Sequence, residues 1–205
     1  NQGEIDKAGY RADGSKWDDP FDAKKGGAQW YEYIPELFQL FDVKDTRRDA
    51  TFMASYKKDS ENNLALWGTH VCKNIGYINA EGNRVYCGDY VFYRLPWVYL
   101  SLAEIANMEG DNASVEKYIN LVRKRAYAKN WDENVYAYKA ADFTQNELAI
   151  LHEKDKEFVQ EGQRWWDVLR MTLTKGGKHL VFCKEANLKN NGQPILNAAT
   201  EAYKV

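Results

Sequence analysis

Three glutamates, Glu153, Glu157 and Glu161, are spaced at i, i+4 and i+8 and so share one face of a helix. Two basic clusters stand near them in the chain, Arg123 with Arg125 and Arg164 with Arg170. Two chemistries use such residues. Glycoside hydrolysis needs two carboxylates with pKa values pushed apart across the scissile bond; an ion-pair network needs only acids and bases that meet. With 30 acids in the chain, finding an acid pair carries no catalytic information, so the arginines read as structural partners of the glutamates. No nucleophile elbow, phosphate-binding loop or dinucleotide fingerprint occurs in the sequence. His70, His152 and His179 each stand alone, and no CxxC pair or His/Cys cluster has metal-ligand spacing. Asp13, Asp18, Asp19 and Asp22 depart from the EF-hand order and read as a solvated acidic loop. The expected numbers of catalytic residues, metal ligands and cofactors are therefore all zero.

Aromatic side chains offer a less demanding chemistry. Fourteen tyrosines, seven tryptophans and eight phenylalanines give an aromatic share of 14%, much of it in segments without helical or strand period. A sugar presents an apolar C–H face that stacks on an exposed ring, while amides and carboxylates take its hydroxyls. The segment from Tyr10 to Tyr33 has this character, with Trp17 beside Asp18 and Asp19, then Gln29, Trp30 and Tyr31. The bland reading is that these rings pin their loop to the body of the protein.

Helices must position both sets. Tyr93 to Ala126 reads as two antiparallel helices. Val98, Leu102 and Ile105 form the apolar stripe of the first, and Val115, Ile119, Val122 and Ala126 that of the second. Pro96 suits a first turn, and Gly110-Asp111-Asn112 supplies a stop and a new N-cap. Thr144 to Glu147 has the form of a capping box for a helix that places Leu148, Leu151, Asp155 and Phe158 on one face. Gly162 breaks that helix and Arg164 to Arg170 starts another. Trp97, Trp165 and Trp166 lie on these helices and are expected in the core. Two β-rich runs, Thr69 to Ile78 and Arg84 to Tyr93, flank the turn Asn79 to Asn83. That hairpin raises the question of a Cys72–Cys87 bridge, the alternative being two small hydrophobes, with Cys183 unpaired in either case.

In this order, the helix hairpin, the capped helix and the Glu161-Gly162-x-Arg164-Trp165-x-Asp167-x-x-Arg170 segment resemble the C-terminal part of the SusD/RagB family. Further matches are Leu102-Ala103-Glu104, Asn120-x-x-Arg123-x-Arg125-Ala126, Glu153, Glu157-Phe158, and Phe41-Asp42 with Asp45-x-Arg47-Arg48-Asp49. The chain departs from the pattern at Leu95-Pro-Trp-Val98 and at Lys154-Asp155. The resemblance implies a mainly α fold of SusD-like type: a helical hairpin and C-terminal helices beside an irregular, loop-rich region with a short β-hairpin. It implies three zones: 1–92 irregular and ligand-facing, 93–172 helical, and 173–205 a wrapping tail. It also implies that a further N-terminal half, with a lipid anchor, belongs to the intact protein.

By the same resemblance, loops ahead of the helix hairpin contribute to the ligand face. This favours Trp17, Trp30 and Tyr31, with Trp67, Trp131 and Tyr136 in reserve. The implied function is non-catalytic capture of oligosaccharide or polysaccharide at the cell surface and delivery to a SusC-like TonB-dependent transporter. An α-helical protein–protein interaction module is the alternative, and a glycoside hydrolase a more distant one. A net charge of −2 gives no basis for nucleic-acid binding. The longest apolar run, Leu95 to Ala103, is about half of what a bilayer span requires. Membrane attachment would therefore come only through an anchor outside this chain.

Overall fold

The computed structural model describes residues 9–16, 33, 35–73, 76–85, 87–171 and 173–174. The chain divides into two compact units, 1–91 and 92–205.

In the first unit, helices α1 (Pro35–Gln39) and α2 (Thr46–Thr51) lead into strands β1 (Phe52–Lys58) and β2 (Leu64–Val71). These strands pair antiparallel, from Phe52 opposite Val71 to Lys58 opposite Leu64, with a register shift between Ser55 and Tyr56. The connecting turn is built by Asp59, whose Oδ1 accepts from the amides of Glu61 at 2.9 Å and Asn63 at 2.8 Å. Asn62 takes the left-handed conformation there (φ 68°), which asparagine tolerates better than most residues. Phe52 anchors the unit's apolar side, meeting Tyr33, Phe38 and Phe41 edge to face. Asp45 caps α2 by accepting from the Arg47 amide, and the same carboxylate holds the buried Arg47 guanidinium at 2.6 Å. This β1–β2 hairpin went unanticipated, because Phe52 to Val71 mixes charged and apolar residues without clean alternation. Thr69 to Val71 belongs to β2, which leaves the expected hairpin with only β3 (Tyr77–Ile78) on β4 (Arg84–Val85). Among the described residues that ladder consists of Tyr77 opposite Val85 and Ile78 opposite Arg84, and the Cys72 amide bonds instead to the Thr51 carbonyl at 2.6 Å. No disulfide joins Cys72 to Cys87.

The second unit is helical. Its elements are α3 (Leu95–Glu109), α4 (Asn112–Tyr127), a 3₁₀ turn (Ala128–Asn130), α5 (Glu133–Tyr136), α6 (Phe143–Glu157) and α7 (Arg164–Met171). Gly110 ends α3 in the left-handed conformation (φ 77°), and Asp111 opens α4 by accepting from the Ser114 amide at 3.1 Å. Leu100, Ala103 and Ala106 of α3, Val115, Ile119 and Val122 of α4, Ile150 and Leu151 of α6, and Val168 and Met171 of α7 form one core. The α4 stripe is the expected one, Ala126 included. On α3 it is rotated: Val98 and Ile105 face solvent, Leu102 is half-buried, and Leu100, Ala103, Ala106 and Asn107 are inside. Small alanines let α3 approach its neighbours closely, and Asn107 turns inward because partners await it, a choice that hydrophobicity alone does not reveal. Asp142, not Thr144, caps α6, accepting from Gln145 N at 2.9 Å. The expected box fails because Glu147 turns into the core and accepts from Asn107 instead. Among the described residues, no helix is long and apolar enough to cross a membrane.

Candidate functional site

Trp17, Trp30 and Tyr31 lie outside the described residues, as do His179, Cys183 and the expected tail from residue 175 onward. The reserve aromatics are described. Trp67 is half-buried on β2, and the Lys57 ammonium sits 3.3 Å from its ring centroid, occupying one face. Trp131 and Tyr136 gather around Tyr127 where α4 ends. Tyr127 and Tyr136 stack at 3.9 Å, and Trp131 meets Tyr127 edge-on at 6.3 Å. Tyr127 is buried, so this cluster fastens the 3₁₀ turn and α5 to α4 and leaves Trp131 and Tyr136 half-exposed.

Of the helix-borne tryptophans, Trp97 packs against the core as expected. Trp165 and Trp166 do not: they are 54% and 60% exposed. On α7 the inward positions go to Asp167, Val168 and Met171, because the charge network below demands Asp167 inside. One turn of helix then carries both indoles to the outer face.

The acids and bases meet in two groups. Arg123 bonds Glu153 at 2.9 Å, and Arg125 grips Glu157 at 2.6 Å. Arg94, at the N-terminus of α3, joins this row, reaching Glu161 at 2.8 and 2.9 Å, the Glu157 carboxylate, and the Glu157 carbonyl at 2.6 Å. It stands on the Phe158 ring at 4.8 Å. Burial disfavours the Arg94 charge, but the bonds from Glu161 and Glu157 outweigh burial and raise its pKa. In the second group the Lys154 ammonium, on a residue only 2% exposed, bonds Glu104 and, at 2.9 Å, Asp167. Arg170 closes the ring with Glu104 at 2.7 and 2.8 Å and Asp167 at 2.6 Å. Burial pushes the Glu104 carboxyl up, yet Arg170 and Lys154 together hold it below the ordinary carboxylate value. Arg164 pairs with Asp155 at 2.7 Å.

The ion-pair reading of the glutamate row therefore holds for Arg123 and Arg125, which take Glu153 and Glu157, and differs in three respects. Glu161 lies past the end of α6 and uses Arg94, Arg164 pairs with Asp155, and Arg170 serves Glu104 and Asp167. The sequence assigns no role to Arg94, and Lys154 stands out there only as a departure from the family pattern. The acids converging on Lys154 from α3 and α7 explain its burial.

Amides form a third network. Asn120 clamps the backbone of Tyr138 from both sides, accepting from its N–H at 2.7 Å and donating to its carbonyl at 3.0 Å. Asn146, wholly buried, accepts from the Tyr138 hydroxyl at 2.7 Å and the Ala141 amide at 2.8 Å. It donates to Asn107 at 2.9 Å and Asn112 at 3.1 Å. The loop 137–142 is thus tied directly to α4 and α6, and through Asn146 to α3. Among the described residues, Glu104, Glu153, Glu157, Glu161, Asp155 and Asp167 are each committed to a cation, so none of these is poised as a general acid. No group of three potential metal ligands occurs among the described residues.

A family model described as the SusD family matches residues 60–202, well over half of the chain. Among solved structures, a SusD superfamily protein from Bacteroides fragilis NCTC 9343 is 66% identical (TM-score 0.84), over 97% of this chain and 41% of its own. B. fragilis NanU is 27% identical (TM-score 0.67), over 82% of this chain and 38% of its own. A SusD superfamily protein from Bacteroides vulgatus ATCC 8482, 24% identical with a TM-score of 0.69, shares the fold over 92% of this chain and 45% of its own. The chain thus spans less than half the length of each of these structures. No curated protein matches it.

Proposed function

The chain belongs to the SusD family, and from that premise we propose that it is the C-terminal part of a cell-surface protein that captures glycan without cleaving it. The intact protein would be lipid-anchored through a segment outside this chain and would pass oligosaccharide to a SusC-like TonB-dependent transporter. Family membership carries this reading. The engagement of Glu104, Glu153, Glu161 and Asp167 in ion pairs points the same way, since it leaves these four to hold helices together rather than to attack a glycosidic bond. Capture would rest on ring stacking and hydrogen bonding by Trp17, Trp30 and Tyr31.

The test is a glycan array with the full-length protein, followed by intrinsic tryptophan fluorescence on any hit. Binding without hydrolysis that is lost in Trp17→Ala or Trp30→Ala is the expected result. Turnover of a glycoside, abolished by substituting one acid, would overturn it.

A separate observation favours a second reading, a protein–protein interaction module. Phe92, Tyr93 and Leu95 at the start of α3, and Trp165 and Trp166 on α7, are all more than half exposed. Such side chains suit a partner surface. In that case Trp166→Ser would lose the partner, while Trp17→Ala would retain it.

A further inference from the structure

We propose that Glu147 is a proton-binding site in the core of the helical unit, coupling the packing of α3 on α6 to pH. The side chain is 1% exposed. Its Oε1 accepts one bond, from the Asn107 amide at 2.9 Å, and its Oε2 is buried with no partner among the described residues. The surroundings dictate that single bond. Asn107 Oδ1 is occupied by Asn146, which turns the Asn107 NH₂ toward Glu147, and its other N–H goes to the Phe143 carbonyl at 3.0 Å. An ionised carboxylate has sites for about four hydrogen bonds, and here one neutral donor serves them.

Neighbouring charges do not make up the difference. From α3 Glu147 faces Glu104, from α7 Arg170, and along its own helix Lys154; Asp167 belongs to the same ring through Arg170 and Lys154. Three carboxylates therefore share two cations. Lys154 and Arg170 both spend their bonds on Glu104 and Asp167. Lys154 lies seven residues farther along α6, about 10 Å of helix rise. A proton on Glu147 removes the excess negative charge without disturbing the ring. In line with this, burial raises the Glu147 carboxyl and Glu104 adds to the rise, against opposing contributions from Asn107, Lys154 and Arg170.

Because the folded-state value is raised, the folded protein binds the proton more tightly than the unfolded chain. Stability from this site is full below the unfolded value of 4.5 and is lost as pH climbs through the folded one. The test pairs carbon-13 NMR of glutamate-labelled protein with urea unfolding of the wild type and Glu147→Gln, whose neutral amide imitates the protonated acid. The expected Glu147 carboxyl titrates above 4.5. Going down in pH, the wild-type ratio of folded to unfolded protein gains on the variant by up to about tenfold per pH unit. A carboxyl titrating at or below the ordinary value, or parallel stability profiles, overturns the proposal. If Glu147→Gln does not fold, titration of the backbone-assigned wild-type protein decides alone.

Discussion

Lys154→Met tests whether the buried lysine holds α3, α6 and α7 together. Methionine nearly matches the lysine stem in length and volume, so little cavity opens and the loss is electrostatic. The ammonium bonds Glu104 and Asp167, whose side chains are 13% and 3% exposed. Removing one partner of a buried ion pair costs roughly 3–5 kcal/mol. Arg170 still reaches both carboxylates, at 2.6 to 2.8 Å, so the low end applies and about 3 kcal/mol is expected. With a urea m-value of about 1–3 kcal/mol/M, the unfolding midpoint falls by roughly 1–3 M. Arg170→Met alone costs less, on the order of 1 kcal/mol, because its side chain is 44% exposed and Lys154 remains. The double variant strands Glu104 and Asp167 without a cation, so its loss exceeds the sum of the two single losses. A Lys154→Met midpoint indistinguishable from wild type, or strict additivity in the cycle, would refute the reasoning.

Four further outcomes are expected. Glu104 has a lowered pKa, so its stabilisation is present above 4.5 and disappears as pH falls through the folded value; Glu104→Gln flattens this acid limb in urea titrations at stepped pH, and an unchanged limb speaks against it. Burial lowers His70 to about 4, so stability from the neutral imidazole is present above 6.5 and is lost on acidification toward that value; proton NMR should place the His70 midpoint near 4, and an ordinary midpoint contradicts its burial. Asn146→Ala orphans the groups that tie loop 137–142 to the helices and costs about 2–4 kcal/mol, read by thermal melting and faster proteolysis within that loop. Trp166→Ser leaves stability within about 0.5 kcal/mol, as for an exposed residue, whereas a loss of about 3 kcal/mol or more would mark it as core after all.

The residues that carried the resemblance turn out to be largely those of the ion-pair network. Glu104, Arg123, Arg125, Glu153, Glu157, Glu161, Arg164, Asp167 and Arg170 are each joined to an opposite charge. Their spacing was legible because a buried charge tolerates no substitute that breaks its pair. That signal identifies a fold. It carries no information on ligand, since the motif residues spend their polar atoms on one another.

From the sequence alone came the helical hairpin, the α4 stripe, the Gly110 stop and the short helix after Gly162, because periodicity and capping are local properties. Tertiary packing decided what locality leaves open. The α3 stripe rotated onto Leu100, Ala103 and Asn107, and the cap of α6 moved to Asp142 once Glu147 was drawn into the core. Asp167, held by Lys154 and Arg170, turned the two indoles of α7 outward. Each reversal has the same origin: a buried polar group takes whichever orientation satisfies it, and at least one of its partners lies on another element.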